Sequence, residues 1–151
     1  MKTVFRVVLL NLSILLLGAC SQHDFEFSDG SRKSVSSYEG GWLLINYWAI
    51  WCKPCVKEVP ELNLLDREQG VSVIGVNFDR QTGEDLDIQL EKLNIRFPTL
   101  VADPAIYFAQ ETPSALPATM VIDSRGEFHS WLMGPQTAKG ILSKLKSNVI
   151  P

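Results

Sequence analysis

The segment Trp42-Leu43-Leu44-Ile45-Asn46-Tyr47-Trp48-Ala49-Ile50-Trp51-Cys52-Lys53-Pro54-Cys55-Val56-Lys57-Glu58-Val59-Pro60 decides the fold. Its first half, Trp42 to Ala49, is a nearly continuous apolar run, as a strand needs when both faces of its sheet are covered. Its second half opens a stripe of Val56, Val59, Leu62 and Leu65, so Cys52 to Glu68 reads as an amphipathic helix. Two cysteines stand where strand gives way to helix. Helical i,i+3 spacing lets their sulfurs meet on one face. The unpaired N–H groups and the dipole at a helix start favour an anion there. Cys52 is therefore expected to be the exposed, thiolate-forming nucleophile, and Cys55, one turn in, the buried resolving thiol. Pro54 suits the first turn, where its missing N–H costs nothing. Thiol–disulfide exchange needs this division of labour: one sulfur attacks and the other releases the mixed disulfide.

The flanking sequence supplies the rest of an α/β domain. Upstream, Phe25-Glu26-Phe27 alternates, Asp29-Gly30 signals a hairpin turn and Ser31 to Val35 is the return strand. Downstream, Val71 to Phe78 reads as a second buried strand. Thr82, with Asp85 following, is positioned to cap a helix striped by Leu86, Leu90 and Leu93. Phe97 to Val101 is a short extended piece, and Pro104 to Gln110 a helical turn. Thr119 to Ile122 is a third apolar strand. Asp123 to Gly126 turns the chain into an antiparallel partner, Glu127 to Met133. Ala138, Ile141, Leu142 and Leu145 stripe a last helix. The order β-α-β-α-β-β-α is an α/β pattern.

Composition narrows the function. Of 151 residues, 46% are hydrophobic and 21% charged, which excludes a disordered chain. A net charge of −3 argues against a general nucleic-acid partner. The cysteine count of three leaves one outside the pair. Residues 1–19 read as an export signal: Lys2 and Arg6 lead an apolar stretch from Val7 to Leu17. As a helix that stretch would reach roughly 16 Å, against a bilayer core of about 30 Å. Leu17-Gly18-Ala19-Cys20 then resembles the bacterial lipobox, in which the cysteine is lipidated and becomes the new N-terminus. Cys20 is thus consumed as a thioether, residues 20–24 form a short lipid-anchored tether, and residues 25–151 form the domain. Ser21, by resemblance to Gram-negative lipoproteins, implies sorting to the outer membrane; an inner-membrane anchor is the alternative. The compartment is the periplasm, where disulfide chemistry is possible.

The block Asn46 to Pro60 resembles the active site of thioredoxin-fold proteins, and in detail the TlpA/ResA-like branch of membrane-tethered thiol-disulfide oxidoreductases. The Asp29-Gly30 hairpin, the strand Val73-Ile74-Gly75-Val76-Asn77 and the stretch Leu116-Pro117-Ala118-Thr119-Met120-Val121-Ile122-Asp123 carry the same likeness. The resemblance implies a thioredoxin-like α/β fold, with a central mixed sheet flanked by helices and an N-terminal β-hairpin. It implies a cis Leu116–Pro117 bond set against the cysteines, with Leu116 offering its backbone to an extended client. It makes Glu58 a buried proton acceptor or pKa tuner beside Cys55. Asn46 stands where thioredoxins carry a buried acid, which leaves that task to Glu58. Trp51 is expected to shape the docking surface beside the exposed sulfur, and Lys53 to favour the Cys52 thiolate. Trp48 belongs in the core; Trp131 and His129 are expected to serve packing. The implied partners are client proteins with disulfides and an upstream reductant, either a membrane thiol-disulfide transporter or a soluble carrier. No cofactor beyond the Cys52–Cys55 pair is implied.

Other readings fit less well. A zinc module needs three or four ligands, and beyond the pair only His23 and His129 remain. Copper delivery on this fold would use a C-x-x-x-C spacing. A thiol peroxidase would place a Thr shortly before the reactive cysteine, where this chain has Trp48-Ala49-Ile50-Trp51. A structural lipoprotein would have an inert Cys52. Cytochrome c maturation is the nearest alternative, but that branch carries a Gly-rich, Glu-containing loop where Ser114-Ala115-Leu116-Pro117 stands here.

Overall fold

The structure is a computed structural model and describes residues 24–147. The leader and Cys20 lie outside the described residues. A short hairpin comes first: β1 (Asp24–Glu26) pairs antiparallel with β2 (Arg32–Ser34), Phe25 opposite Lys33. Gly30, at φ 80°, supplies the left-handed residue that the turn requires. A 3₁₀ turn over Val35–Tyr38 leads to β3 (Trp42–Trp48), the central strand.

Five strands make the main sheet in the order β5-β4-β3-β6-β7. β4 (Val71–Asn77) and β5 (Thr99–Leu100) run parallel to β3; β6 (Ala118–Ile122) pairs antiparallel with β3, and β7 (Phe128–Met133) antiparallel with β6. The parallel pairs require crossovers, which α1 (Lys53–Leu65) and α2 (Gly83–Leu93) supply. α3 (Ala138–Ser147) closes the chain.

Alternation along β3 sorts the two faces of the core. Leu44 packs with Leu62 and Leu65 of α1 and with Ile141 and Leu145 of α3. Leu43, Ile45 and Tyr47 point the other way, onto Phe25 and Phe27 of the hairpin and onto Phe108. Each fully buried leucine contributes about 1.5–3 kcal/mol relative to exposure. The hairpin segment also guards the sheet edge. Ser28 N–H donates to Thr99 O at 2.8 Å and Val101 N–H to Glu26 O at 3.0 Å, so the edge strand β5 is not left bare. The α/β order, the mixed sheet with its helices and the N-terminal hairpin are those expected of a thioredoxin-like fold.

The differences are local. Thr82 occupies the N-cap of α2 but makes no side-chain capping bond. Gly83 follows it at φ 57°, outside right-handed helical geometry, so the first turn does not present its N–H groups to the Thr82 hydroxyl. Glu84 and Asp85 in the first turn favour the dipole instead. Of the expected Leu86-Leu90-Leu93 stripe only Leu86 is fully buried. The turn near Pro104 is a 3₁₀ segment, Ala105–Phe108. Trp131 lies against Tyr47, ring centroids 5.6 Å apart, and His129 meets Trp42 edge-on at 5.4 Å, both packing roles. Among the described residues no helix is long and apolar enough to cross a membrane.

Candidate active site

β3 delivers its last residues to the carboxyl edge of the sheet, where Cys52 is the N-cap of α1. Cys52 and Cys55 are joined by a disulfide, their Cα atoms 5.3 Å apart. The Cys55 backbone N–H donates to Cys52 Sγ at 3.2 Å. A sulfur thus takes the place of the oxygen that normally caps a helix. The same N–H and the helix dipole favour negative charge on that atom. Pro54 lies in the first turn, where no N–H partner is lost.

The expectation of an exposed Cys52 needs correction. In the disulfide both cysteines are covered, Cys52 with 5% and Cys55 with 1% of its surface accessible. They form one apolar cluster with Trp48, Ala49 and Leu86, and Leu116 packs against it. Bonding turns the Cys52 sulfur toward Cys55. Trp48 is core, as expected. Lys53 is exposed. Trp51 is 60% exposed beside Cys52. Its indole Nε1–H donates to both carboxylate oxygens of Asp79, at 2.9 and 3.1 Å, and its ring meets Phe78 edge-on at 6.4 Å.

The Leu116–Pro117 peptide bond is cis. Pro117 is buried, Leu116 half-buried, and β6 begins at Ala118. Register places Asn46 on β3 directly opposite Thr119 on β6. Asn46 Nδ2 donates to Thr119 Oγ1 at 2.9 Å and to Glu58 Oε2 at 3.2 Å. Glu58 comes from α1, one turn past Cys55, and only 1% of its surface is accessible. Its other oxygen accepts the Gln136 backbone N–H at 2.8 Å. Burial pushes the Glu58 carboxyl up to about 7, and the two hydrogen bonds oppose that rise. The carboxyl is therefore poised to exchange a proton near neutrality.

Glu58 is bound into a larger frame. The loop after β7 donates Gln136 N–H to Glu58, and it also donates Gly134 N–H to Pro117 O at 2.9 Å. One helical turn along α1, Glu61 Oε2 accepts the N–H of Ala138 at 2.8 Å, at the start of α3. The cis-proline segment, the buried acid and the last helix share one hydrogen-bonded loop. Of the residues singled out from the sequence, Cys52 and Cys55 are bonded, Leu116 packs against their cluster and precedes Pro117, and Asn46 bonds Glu58 one turn beyond Cys55. Sequence reasoning missed Gln136 and Gly134, which act through backbone N–H groups that no side-chain pattern marks. It also missed Thr119 and Asp79, whose roles follow only from sheet order. Among the described residues no group of His, Cys, Asp and Glu side chains is placed to hold a metal ion.

Comparison with known proteins agrees with this geometry. Residues 21–129 match the AhpC/TSA family. The thiol-disulfide oxidoreductase ResA of Geobacillus kaustophilus is 31% identical over 129 residues, which span 82% of this chain and 74% of that protein. A thiol:disulfide interchange protein of the thioredoxin family from Chlorobium tepidum superposes with a TM-score of 0.70 at 22% identity, over 83% of this chain and 91% of that one. The exposed lipoprotein thioredoxin of Streptococcus pneumoniae superposes with a TM-score of 0.63 at 21% identity, over 83% and 98%. The chain belongs to the AhpC/TSA family and is a thioredoxin-fold thiol-disulfide oxidoreductase.

Proposed function

We propose that this enzyme reduces disulfides of client proteins outside the cytoplasm, through Cys52 and Cys55, while held to a membrane by lipid on Cys20. The observation that carries the reading is the Cys52–Cys55 bond at the start of α1, with Cys52 Sγ accepting a helix N–H and the buried Glu58 one turn beyond Cys55.

The cycle begins with the reduced enzyme. The Cys52 thiolate attacks one sulfur of a client disulfide docked against Leu116–Pro117 by short β-pairing. A Cys52–client S–S bond forms, and the other client sulfur leaves as a thiolate. Glu58, as carboxylate, takes the Cys55 proton. Cys55 then attacks Cys52 Sγ, the Cys52–Cys55 bond closes, and the second client sulfur departs. The client gains two electrons and the enzyme is oxidised. A dithiol donor restores the pair by the reverse exchange, and that donor is a membrane thiol-disulfide transporter or a soluble carrier. Trp51, held by Asp79, frames the reacting sulfur.

The leader over residues 1–19, the tether at 20–24 and the domain from residue 25 complete the proposal. The pneumococcal lipoprotein on the same fold supports the anchor. The outer membrane is the proposed site, with the inner membrane as the alternative because a short tether must still meet an inner-membrane donor. A redox titration of Cys52–Cys55 against glutathione tests the direction. A potential near about −120 mV, the strongly oxidising end of this fold, overturns the reductase assignment. In parallel, Cys52→Ser abolishes reduction of an insulin disulfide, while Cys55→Ser accumulates the Cys52–client adduct.

A further inference from the structure

The chain passes from its proposed lipid anchor into the fold within a few residues, and that restricts which face can meet the membrane. Cys20 and the start of β1 at Asp24 are four residues apart, a reach of at most about 14 Å. Beside that start stands the 3₁₀ segment Ala105–Phe108. Phe25 of β1 and Tyr107 of the segment meet edge-on, ring centroids 6.4 Å apart, and one cavity of about 200 Å³ is lined by Asp24, Phe25, Ile106 and Tyr107. With three residues to a turn, the segment buries Ala105 and Phe108 and turns the two residues between them outward. Ile106 has 87% of its surface accessible, more than any other large apolar side chain among the described residues, and Tyr107 has 43%. Val101, 39% accessible, lines a neighbouring cavity with Ile106. The segment is pinned: Ala105 N–H donates to Asp103 Oδ1 at 2.9 Å and Gln110 N–H to Ala105 O at 2.9 Å. One exposed apolar side chain is ordinary; three held together beside a tether point to a contact surface.

We infer that Ile106 and Tyr107 sink into the boundary between headgroups and acyl chains of the bilayer that holds Cys20, so that the domain lies against the membrane on this face. The inference rests on the reading that Cys20 is lipidated, and it adds which surface the lipid brings down. A domain tied within about 14 Å of the headgroups presents the neighbourhood of Asp24 to them. Ile106 and Tyr107 are the exposed apolar side chains of that neighbourhood, one aliphatic and one an aromatic ring with a polar tip, the kind enriched at membrane interfaces. The lipid is net-neutral phospholipid. Between Thr99 and Pro117 the chain carries Asp103 and Glu111 and no Lys or Arg. Of the hairpin's cations, Arg32 is paired with Glu26 at 3.0 Å and Lys33 lies 5.9 Å from the Tyr38 ring centroid. Contact is therefore by apolar burial and not by attraction to anionic headgroups. Ile106 follows the carboxyl end of β5, which runs parallel to β4 and β3. Docking on this face keeps the sheet edge that carries Cys52 on the membrane side.

The test uses the full lipidated chain, oxidised, in phosphatidylcholine vesicles with or without bromine on the acyl chains. With Cys20 consumed as a thioether and Cys52–Cys55 closed, a single added cysteine takes a fluorescent label. One label goes on Ala102→Cys, exposed beside Ile106, and the other on Leu64→Cys of α1. Leu64 is also apolar and 52% accessible, but α1 packs on the opposite face of the sheet from Phe25 and Phe108. Bromine is expected to quench the label at 102 roughly threefold more than the label at 64. Adding Ile106→Asp brings the 102 label down to the level of the 64 label, while the protein still floats with the vesicles. Equal quenching at the two sites, or quenching at 102 that survives Ile106→Asp, overturns the docking and leaves the lipid anchor standing. Quenching at 102 that appears only when phosphatidylglycerol is added assigns the contact to charge and overturns the proposal too. A dimer that Ile106→Asp dissociates, with the 102 label unquenched by bromine, assigns the surface to a second copy of the chain and also overturns it. A chain that does not float with the vesicles overturns the anchor and the docking together.

Discussion

Replacing Glu58 by Gln tests the electrostatics of the site directly. The carboxyl is displaced from an ordinary 4.5 to about 7 by burial. Over that interval the folded protein holds a proton that the unfolded chain has released, so stability falls as pH rises. It is highest with respect to this group below about 4.5, and the loss is complete above about 7. The displacement corresponds to about 3 kcal/mol, a large share of the 5–15 kcal/mol typical of a domain. Glutamine keeps the shape and the acceptor for Gln136 N–H, and a turned Asn46 amide could accept from its NH₂. The variant thus removes the charge with little loss of packing. Urea unfolding of the oxidised wild type and of Glu58→Gln at pH 5 and pH 8 reads the effect. Asp29, Asp66 and Asp123 are also displaced and contribute their own slopes, but these are common to both proteins and cancel in the difference. The variant should gain about 2.5 kcal/mol on the wild type between the two pH values, because part of the displacement is already lost at pH 5. A difference that stays constant across that range refutes the assignment of Glu58 as the buried, near-neutral acid.

Asn46→Leu removes one of the two donors that hold the Glu58 carboxyl down and leaves Thr119 Oγ1 without its partner. Infrared titration of the carboxyl band should place its midpoint above that of the wild type, with a stability loss of about 1–3 kcal/mol at neutral pH. Asp79→Ala frees the Trp51 indole, an exposed contact, so the urea midpoint should shift by less than about 1 kcal/mol. Exchange with a protein client should nevertheless slow severalfold, and equal rates would show that the Trp51–Asp79 pair has no part in docking. At Gly75 an added Cβ would lie 2.8 Å from Thr99 Oγ1, 2.9 Å from Trp48 Nε1 and 3.1 Å from the Phe97 ring. Gly75→Ala should cost about 1–3 kcal/mol by overpacking, read as a lowered denaturation midpoint.

Much of this site is legible in the sequence because local chemistry and fold agree. An apolar run ending in two cysteines at i,i+3 announces strand, helix start and reactive pair together. Glu58 and Pro117 could be placed because their positions relative to the cysteines match the TlpA/ResA pattern. What stayed hidden is non-local. Asn46 and Thr119 meet only because β3 and β6 pair in one register. Gln136 serves Glu58 through its main chain, so any residue except proline would donate equally well. Cys52 is buried in a cluster that draws on Leu86 and Leu116, more than thirty and more than sixty positions along the chain. The failed Thr82 cap is a competition between motifs: the residues are right for a capping arrangement, but a left-handed glycine directly after them takes the turn elsewhere.

The Cys52 sulfur is both the keystone of a helix terminus and the atom that moves electrons. Irreversible modification of it would therefore be felt twice. The reaction would stop, and the cap would change with it: an alkyl group crowds the acceptor, worth about 1 kcal/mol in an ordinary cap, whereas over-oxidation puts anionic oxygens where the helix start favours negative charge. The two kinds of damage end the same chemistry and shift the helix terminus in opposite directions.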